Sequence, residues 1–202
     1  IRDSSVTGVQ TCALPIWNHK SRNQQFLERE SRANQVRRKD ISNLNYISIP
    51  DNLPLINSGN ETFNQLLSNN SGMMRSYNTI TGLKDKKILN LTGISNTELK
   101  LSYGAANLTE LTEYDDNFTT LIKAIASLGH ALIDNNDTAD ALSFLEYGIS
   151  IGSDISSNYI DLAIIYAATD RFDDIRKLKE KAEMLKSLSR DNIIGQLDNM
   201  LK

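Results

Sequence analysis

Two stretches of this chain repeat each other. Ile125, Leu128, Gly129 and Leu132, followed by Ala141, Leu145 and Gly148, recur as Tyr159, Leu162, Ala163 and Tyr166, followed by Ile175, Lys179 and Ala182. Leu128 and Leu162 stand 34 residues apart, a period at which each unit is one helical hairpin too small to bury its apolar stripe alone. The apolar residues fall at helical spacing, and the polar stretches Asn135-Asn136-Asp137 and Thr169-Asp170-Arg171 read as the turns. Gly129 and Ala163 permit paired helices to approach closely, Leu128 and Leu162 fill the space between them, and short turns make the pairs antiparallel. Asp137 and Asp170 are the candidate N-caps of each second helix. The pattern predicts an all-α fold.

Both units resemble the tetratricopeptide repeat: a large residue, Leu with a small partner, a further large residue, then small residues on the second helix. The resemblance implies antiparallel helix-turn-helix repeats with flanking capping helices and an extended N-terminal arm. It departs at Lys179, where an aromatic or aliphatic residue is usual, and at Ser153 and Ser187, where a proline commonly ends the repeat. Two units are fewer than the about three that make a free-standing array. The caps are expected to be a helix running from Ser95 through Leu101, Ala105, Leu108 and Leu111, and a final one through Ile193, Ile194, Leu197 and Leu201. Ser95 and Glu98 have the spacing of a reciprocal capping box at the start of the first. The family's groove positions, carried over residue by residue, are Lys123, Ala126, His130 and Ile133 in the first unit and Ser157, Ile160, Ile164 and Ala167 in the second. They form a mostly apolar strip with one lysine, without the set of Lys, Arg and Asn that clamps a peptide carboxylate in some relatives.

The repeat region, 95–202, is preceded by segments of different character. Read as codons, Ile1 to Ile16 resemble a translated indexed sequencing adapter, so 1–17 are expected to be artefact and are excluded from fold reasoning. Cys12 is the only cysteine and lies inside it, which leaves no disulfide or cysteine-metal site to the remainder. The only tryptophan, Trp17, straddles the junction, and the true N-terminus is expected to be missing. Residues 18–40 form a basic arm with Lys20, Arg22, Arg29, Arg32, Arg37, Arg38 and Lys39 against Glu28, Glu30 and Asp40. In a chain of net charge −3 the body is therefore acidic. Asn23 to Asp40 reads as a poorly buried helix. Residues 41–59, with Pro50, Pro54 and Gly59, read as an extended linker over the surface. Residues 60–94 read as patchily helical, with breaks near Asn69-Asn70-Ser71-Gly72 and Thr81-Gly82.

The stretch KKILNLTGISNTELKLSYGAANL, Lys86 to Leu108, resembles a group of proteins of low-GC Gram-positive bacteria, itself without an assigned activity. There such a segment lies between an N-terminal membrane helix with a basic flank and a C-terminal repeat region. The visible chain has no apolar run of the roughly 18 residues a spanning helix needs. A basic flank suits the cytoplasmic end of such a helix, so the expected location is the cytoplasmic face of the membrane, with the anchor upstream; otherwise it is the cytoplasm. An acidic body argues against nucleic acid as a partner.

Catalytic signals are sparse. His19 and His130 are the only histidines, and His130 follows Gly129 on a repeat helix, where a groove or surface role is expected. No phosphate-cradling glycine loop, paired zinc histidines or nucleophile elbow occurs. Asp134 could open a calcium loop, but the sixth position is Ala139 rather than Gly and the twelfth is Leu145, so a capped turn is the better reading. Asn-x-Ser/Thr triplets at Asn60, Asn69, Asn90, Asn107, Asn117 and Asn136 read as products of an Asn-rich composition rather than glycosylation signals. The expected function is a non-catalytic scaffold or adaptor that binds a protein or peptide, without cofactor or metal. The occupant of the groove would be an amphipathic helix, an apolar peptide, or the chain's own arm or linker. The alternatives are a soluble structural or regulatory domain with no groove ligand, and an enzyme whose chemistry carries no recognised motif.

Overall fold

A computed structural model describes residues 21–54 and 61–202. Residues 1–20, which hold the adapter-like stretch with Cys12 and Trp17 as well as His19, and residues 55–60, which include Gly59 and Asn60, lie outside the described residues. Among the described residues the structure is all-α, with helices α1 (Arg22–Asn34), α2 (Glu61–Asn69), α3 (Ser71–Gly82), α4 (Asn96–Tyr103), α5 (Leu108–Asp134), α6 (Thr138–Ser150), α7 (Ser156–Ala168), α8 (Phe172–Glu183) and α9 (Arg190–Met200). No helix among them is long and apolar enough to cross a membrane.

From α5 onward each helix packs on the next, and α5 also touches α7 as α7 touches α9. The 34-residue period is visible in the backbone of the turns. Asn136 and Asp170, the two non-glycine residues of positive φ among those described, have φ of 61° and 56°. In each turn the following amide reaches back: Asp137 N–H donates to the Leu132 carbonyl at 2.9 Å and Arg171 N–H to the Tyr166 carbonyl at 2.8 Å. This closure satisfies carbonyls left over at a helix C-terminus, and Asn and Asp tolerate the left-handed position better than most residues. Asp137 caps α6 by accepting from the Asp140 amide. Asp170 does not cap α8, contrary to the sequence expectation: it occupies the left-handed position, and Arg171 precedes the helix without a side-chain cap. Gly129 lets α5 and α6 meet, since a Cβ there would stand 2.6 Å from Leu145 Cδ2. Lys179 is satisfied by an ion pair with Asp198 of α9 at 2.6 Å, which explains a cation where an apolar residue was expected. Ser153 is fully buried, and its hydroxyl accepts from the Ile155 amide and the Asn158 side-chain amide, organising the entry to α7.

The first capping helix is shorter than its apolar spacing suggests. Ser95 and Glu98 cap each other reciprocally, but α4 stops at Gly104, whose φ is 93°. A 3-10 turn, Ala105–Asn107, then leads into α5, which runs for 27 residues. Asn107 is fully buried and donates to the carbonyls of Lys39 and Tyr103, so its glycosylation triplet is closed in this fold. Ahead of α4, Asn70 separates α2 from α3 and accepts from the amides of Gly72 and Met73. Phe63, Leu67, Met73, Tyr77 and Ile80 of this hairpin join one core with Phe118, Leu128, Phe144 and Leu162. Ile41, Leu89, Leu91, Leu99, Leu111 and Tyr114 form a second, smaller core under α4.

The arm and linker differ most from expectation. Helix α1 ends at Asn34 rather than near Asp40, because the chain beyond it bonds to the α4 exit: Lys39 N–H donates to the Tyr103 carbonyl at 3.0 Å and Ala105 N–H to the Val36 carbonyl at 3.3 Å. Its charges face partners of opposite sign on the body. Glu30 pairs with Lys100 and accepts from Thr97, Arg29 lies 3.5 Å from Glu98, and Arg38 bonds Glu110 and Asn107, each at 2.8 Å. The linker is not confined to the surface either, for Ile49 and Leu53 are buried in the main core. Lys100 and Thr97 hold the Glu30 carboxyl below its usual range, and the Ser95 amide and hydroxyl do the same for Glu98. A carboxyl lowered by folding contributes stability above its unfolded value, near pH 4.5, and that contribution is lost as pH falls through the folded value. Amide exchange in α1 and α4 should therefore accelerate on acidification below about pH 4 before exchange in α5 and α7 does. Equal acceleration everywhere would show that these carboxylates do not hold the arm.

Candidate functional site

Helices α5 and α7, which pack side by side, leave a groove of about 530 Å³. Of the eight residues expected to line it, Lys123, Ala126, His130, Ser157 and Ile160 do so, together with Asp161 and Gln196. Ile133, Ile164 and Ala167 are not drawn into this cavity. Ile133 and Ala167 are partly buried against the main core, and Ile164 stands 47% exposed. Ile164, one turn beyond Ile160 on α7, thus leaves an exposed apolar side chain beside the groove.

Sequence reasoning placed neither Gln196 of α9 in the groove wall nor α3 beside it. A second concavity of about 430 Å³ runs between α5 and α3, lined by Arg75 and Thr79 and sharing Lys123 and Ser127 with the first. No spacing in the sequence ties α3 to α5; the contact comes from the shared core of Met73, Tyr77 and Ile80 with the apolar face of α5. The described arm and linker, 21–54, line neither concavity. The arm packs on α4 and the linker reaches α6 through the Tyr147 hydroxyl on the Ser48 carbonyl, so within these residues the groove is not filled by the chain itself.

Electrostatics divide the groove. Asp161 is 7% exposed, and its Oδ2 lies 3.1 Å from Nδ1 of His130. Nε2 of the same ring faces Asp134 at 3.8 Å. Burial pushes the Asp161 carboxyl up, and the neighbouring His130 pulls it part of the way back. Lys123, seven residues earlier on α5, is exposed and joins no ion pair among the described residues. Behind Asp161, the fully buried Asn158 donates to Ser153, while its Oδ1 finds no partner. Asp161 escaped notice in the sequence because it stands in the apolar run YIDLAIIYAA; a lone acid among core positions was the available signal.

His130 faces two carboxylates, and no hydroxyl among the described residues bonds to its ring. Among the described residues no three or more His, Cys, Asp or Glu side chains converge to hold a metal. What the arrangement offers is a concave shape, one exposed apolar side chain and separated charges, features that can hold an extended or helical segment. Compared with protein-family models, with curated proteins and with solved structures, the chain finds no match.

Proposed function

We propose that this protein is a non-catalytic interaction scaffold of tetratricopeptide-like helical repeats, which docks a peptide segment of a protein partner on the face made by α3, α5 and α7. The observation that carries the reading is the open groove between α5 and α7, with the exposed Ile164 beside it. An apolar side chain left in water next to a concave surface gains free energy when a partner covers it. The recurrence of turn geometry at 34 residues supports the repeat assignment. Tethering to the cytoplasmic face of a membrane, through a segment upstream of the arm, belongs to the same reading. Its support is that Arg22, Arg32 and Arg37 remain exposed on the arm after docking, as a juxtamembrane basic flank would be.

The test is selection of a displayed random-peptide library on the purified chain, followed by affinity measurement on the Ile164→Gln variant. Burial of one isoleucine side chain accounts for roughly 1.5–3 kcal/mol, so the variant should weaken the selected peptides at least about tenfold. Its melting temperature should barely move, because an exposed substitution changes stability by about 0.5 kcal/mol or less. Peptides that bind the variant as tightly as the parent would rule out this face as the docking surface.

A further inference from the structure

Resting on the groove reading just given, we propose that the Asp161 end of the groove receives a basic side chain, so that the docked peptide presents an arginine or lysine beside an aliphatic residue. A carboxylate withdrawn from water needs compensating charge or hydrogen bonds. Asp161 is 7% exposed, yet its polar contacts among the described residues reduce to the His130 ring, on Oδ2 alone. An ionised carboxylate has about four acceptor sites on its two oxygens. Oδ1 is not among the buried atoms sealed without a partner, and Asp161 lines the groove, so the unused oxygen is open to what enters there.

The surrounding charge points the same way. Asp134 approaches the same imidazole from its other nitrogen, so two carboxylates face one ring and the local balance is negative whether that ring is neutral or protonated. Lys123 does not supply the missing cation: it lies two helical turns away, about 10 Å along the α5 axis. A guanidinium, planar and always charged, can bond such a carboxylate through two N–H groups. The His130 side chain is 60% exposed and can yield its place without opening the core. Ile160 lines the groove beside Asp161, and Ile164 stands one turn further on, where the residue next to the basic one would rest. Burial is what raises the Asp161 carboxyl, and an incoming cation relieves that cost.

The library selection provides the probe. Selected peptides are expected to share an arginine or lysine next to Leu, Ile, Val or Met. Replacing that arginine with citrulline, which keeps the shape and removes the charge, should lower affinity at least about tenfold. On Asp161→Asn, the arginine and citrulline forms should bind within about twofold of each other. The citrulline exchange alters only the ligand, so the result stands even where Asp161→Asn folds poorly. Peptides that depend on Ile164 but carry no basic residue, or whose citrulline forms bind equally well, overturn the basic-anchor assignment and leave the groove reading intact. A selection that enriches nothing on the parent chain beyond what Ile164→Gln retains overturns both.

Discussion

Phe144→Ala is expected to destabilise the protein by about 3–5 kcal/mol, the range for removing a fully buried aromatic side chain. Phe144 is 1% exposed on α6, and its ring stacks on Phe63 of α2 with centroids 6.2 Å apart. Phe63 in turn meets Tyr77 of α3 edge-on at 5.7 Å. The three rings tie the α2–α3 hairpin to α6, and the cavity left by alanine opens where these elements join. In a protein of this size 1 kcal/mol is about 2–4 °C, so the melting temperature should fall by about 6–20 °C. Exchange protection should drop in α2 and α3 as well as in α6. Phe26→Ala, at a site 59% exposed, is the control and should leave the melt close to the parent. A large loss confined to α6 and α7 would mean that the hairpin is a separate unit, contrary to the shared core.

The same joint marks where the sequence stops being readable. Helix pairing from α5 to α8 was legible because its determinants are local: each turn has a residue that tolerates positive φ, each first helix carries Leu beside a small residue, and the period repeats both. Ser95 with Glu98 was legible for the same reason, the two residues being three apart. The α2–α3 hairpin was half legible. Its break at Asn70 follows from side-chain capping, while its docking through Phe63 onto Phe144 joins residues far apart in the chain. Ile49 and Leu53 looked like linker residues because Pro50 and Pro54 interleave them, and proline forbids helix without forbidding burial. Asp170 was misassigned by a rule that is sound for N-caps; at this turn the need for a residue in the left-handed region prevails. At the groove, five of the eight positions taken from the repeat resemblance line the concavity between α5 and α7. That resemblance missed Asp161, a lone acid on the buried side of α7, and Arg75, which lines the neighbouring concavity from α3.

Gly104 is where local pattern and fold part at a single residue, and Gly104→Ala should release the arm. Apolar spacing carries a helix straight through this position, and one glycine inside a helical pattern costs only about 1 kcal/mol. What stops the helix is distant. The φ of 93° suits glycine, and a Cβ would stand 2.3 Å from the Arg37 carbonyl oxygen and 2.9 Å from Arg38 Cα. Both atoms are backbone, so no side-chain rotation relieves the clash, and the alanine adds roughly 1–3 kcal/mol of backbone strain. The cheapest escape is for residues 36–39 to move off, giving up the Tyr103, Ala105 and Asn107 hydrogen bonds. With these go the close approach that sets Glu30 on Lys100 and Arg38 on Glu110. Limited trypsin digestion should then cut at Arg29, Arg32, Arg37 and Arg38 at least about tenfold faster than in the parent, because proteolysis tracks the opened population. Protection in α5 to α8 should fall far less. Gly195→Ala gives the opposite sign: nothing lies within 4 Å of its Cβ in the interior of α9, and helix propensity predicts a gain of about 1 kcal/mol. If Gly104→Ala leaves the digestion pattern unchanged, the arm does not depend on this contact, and its ion pairs with α4 and α5 hold it unaided.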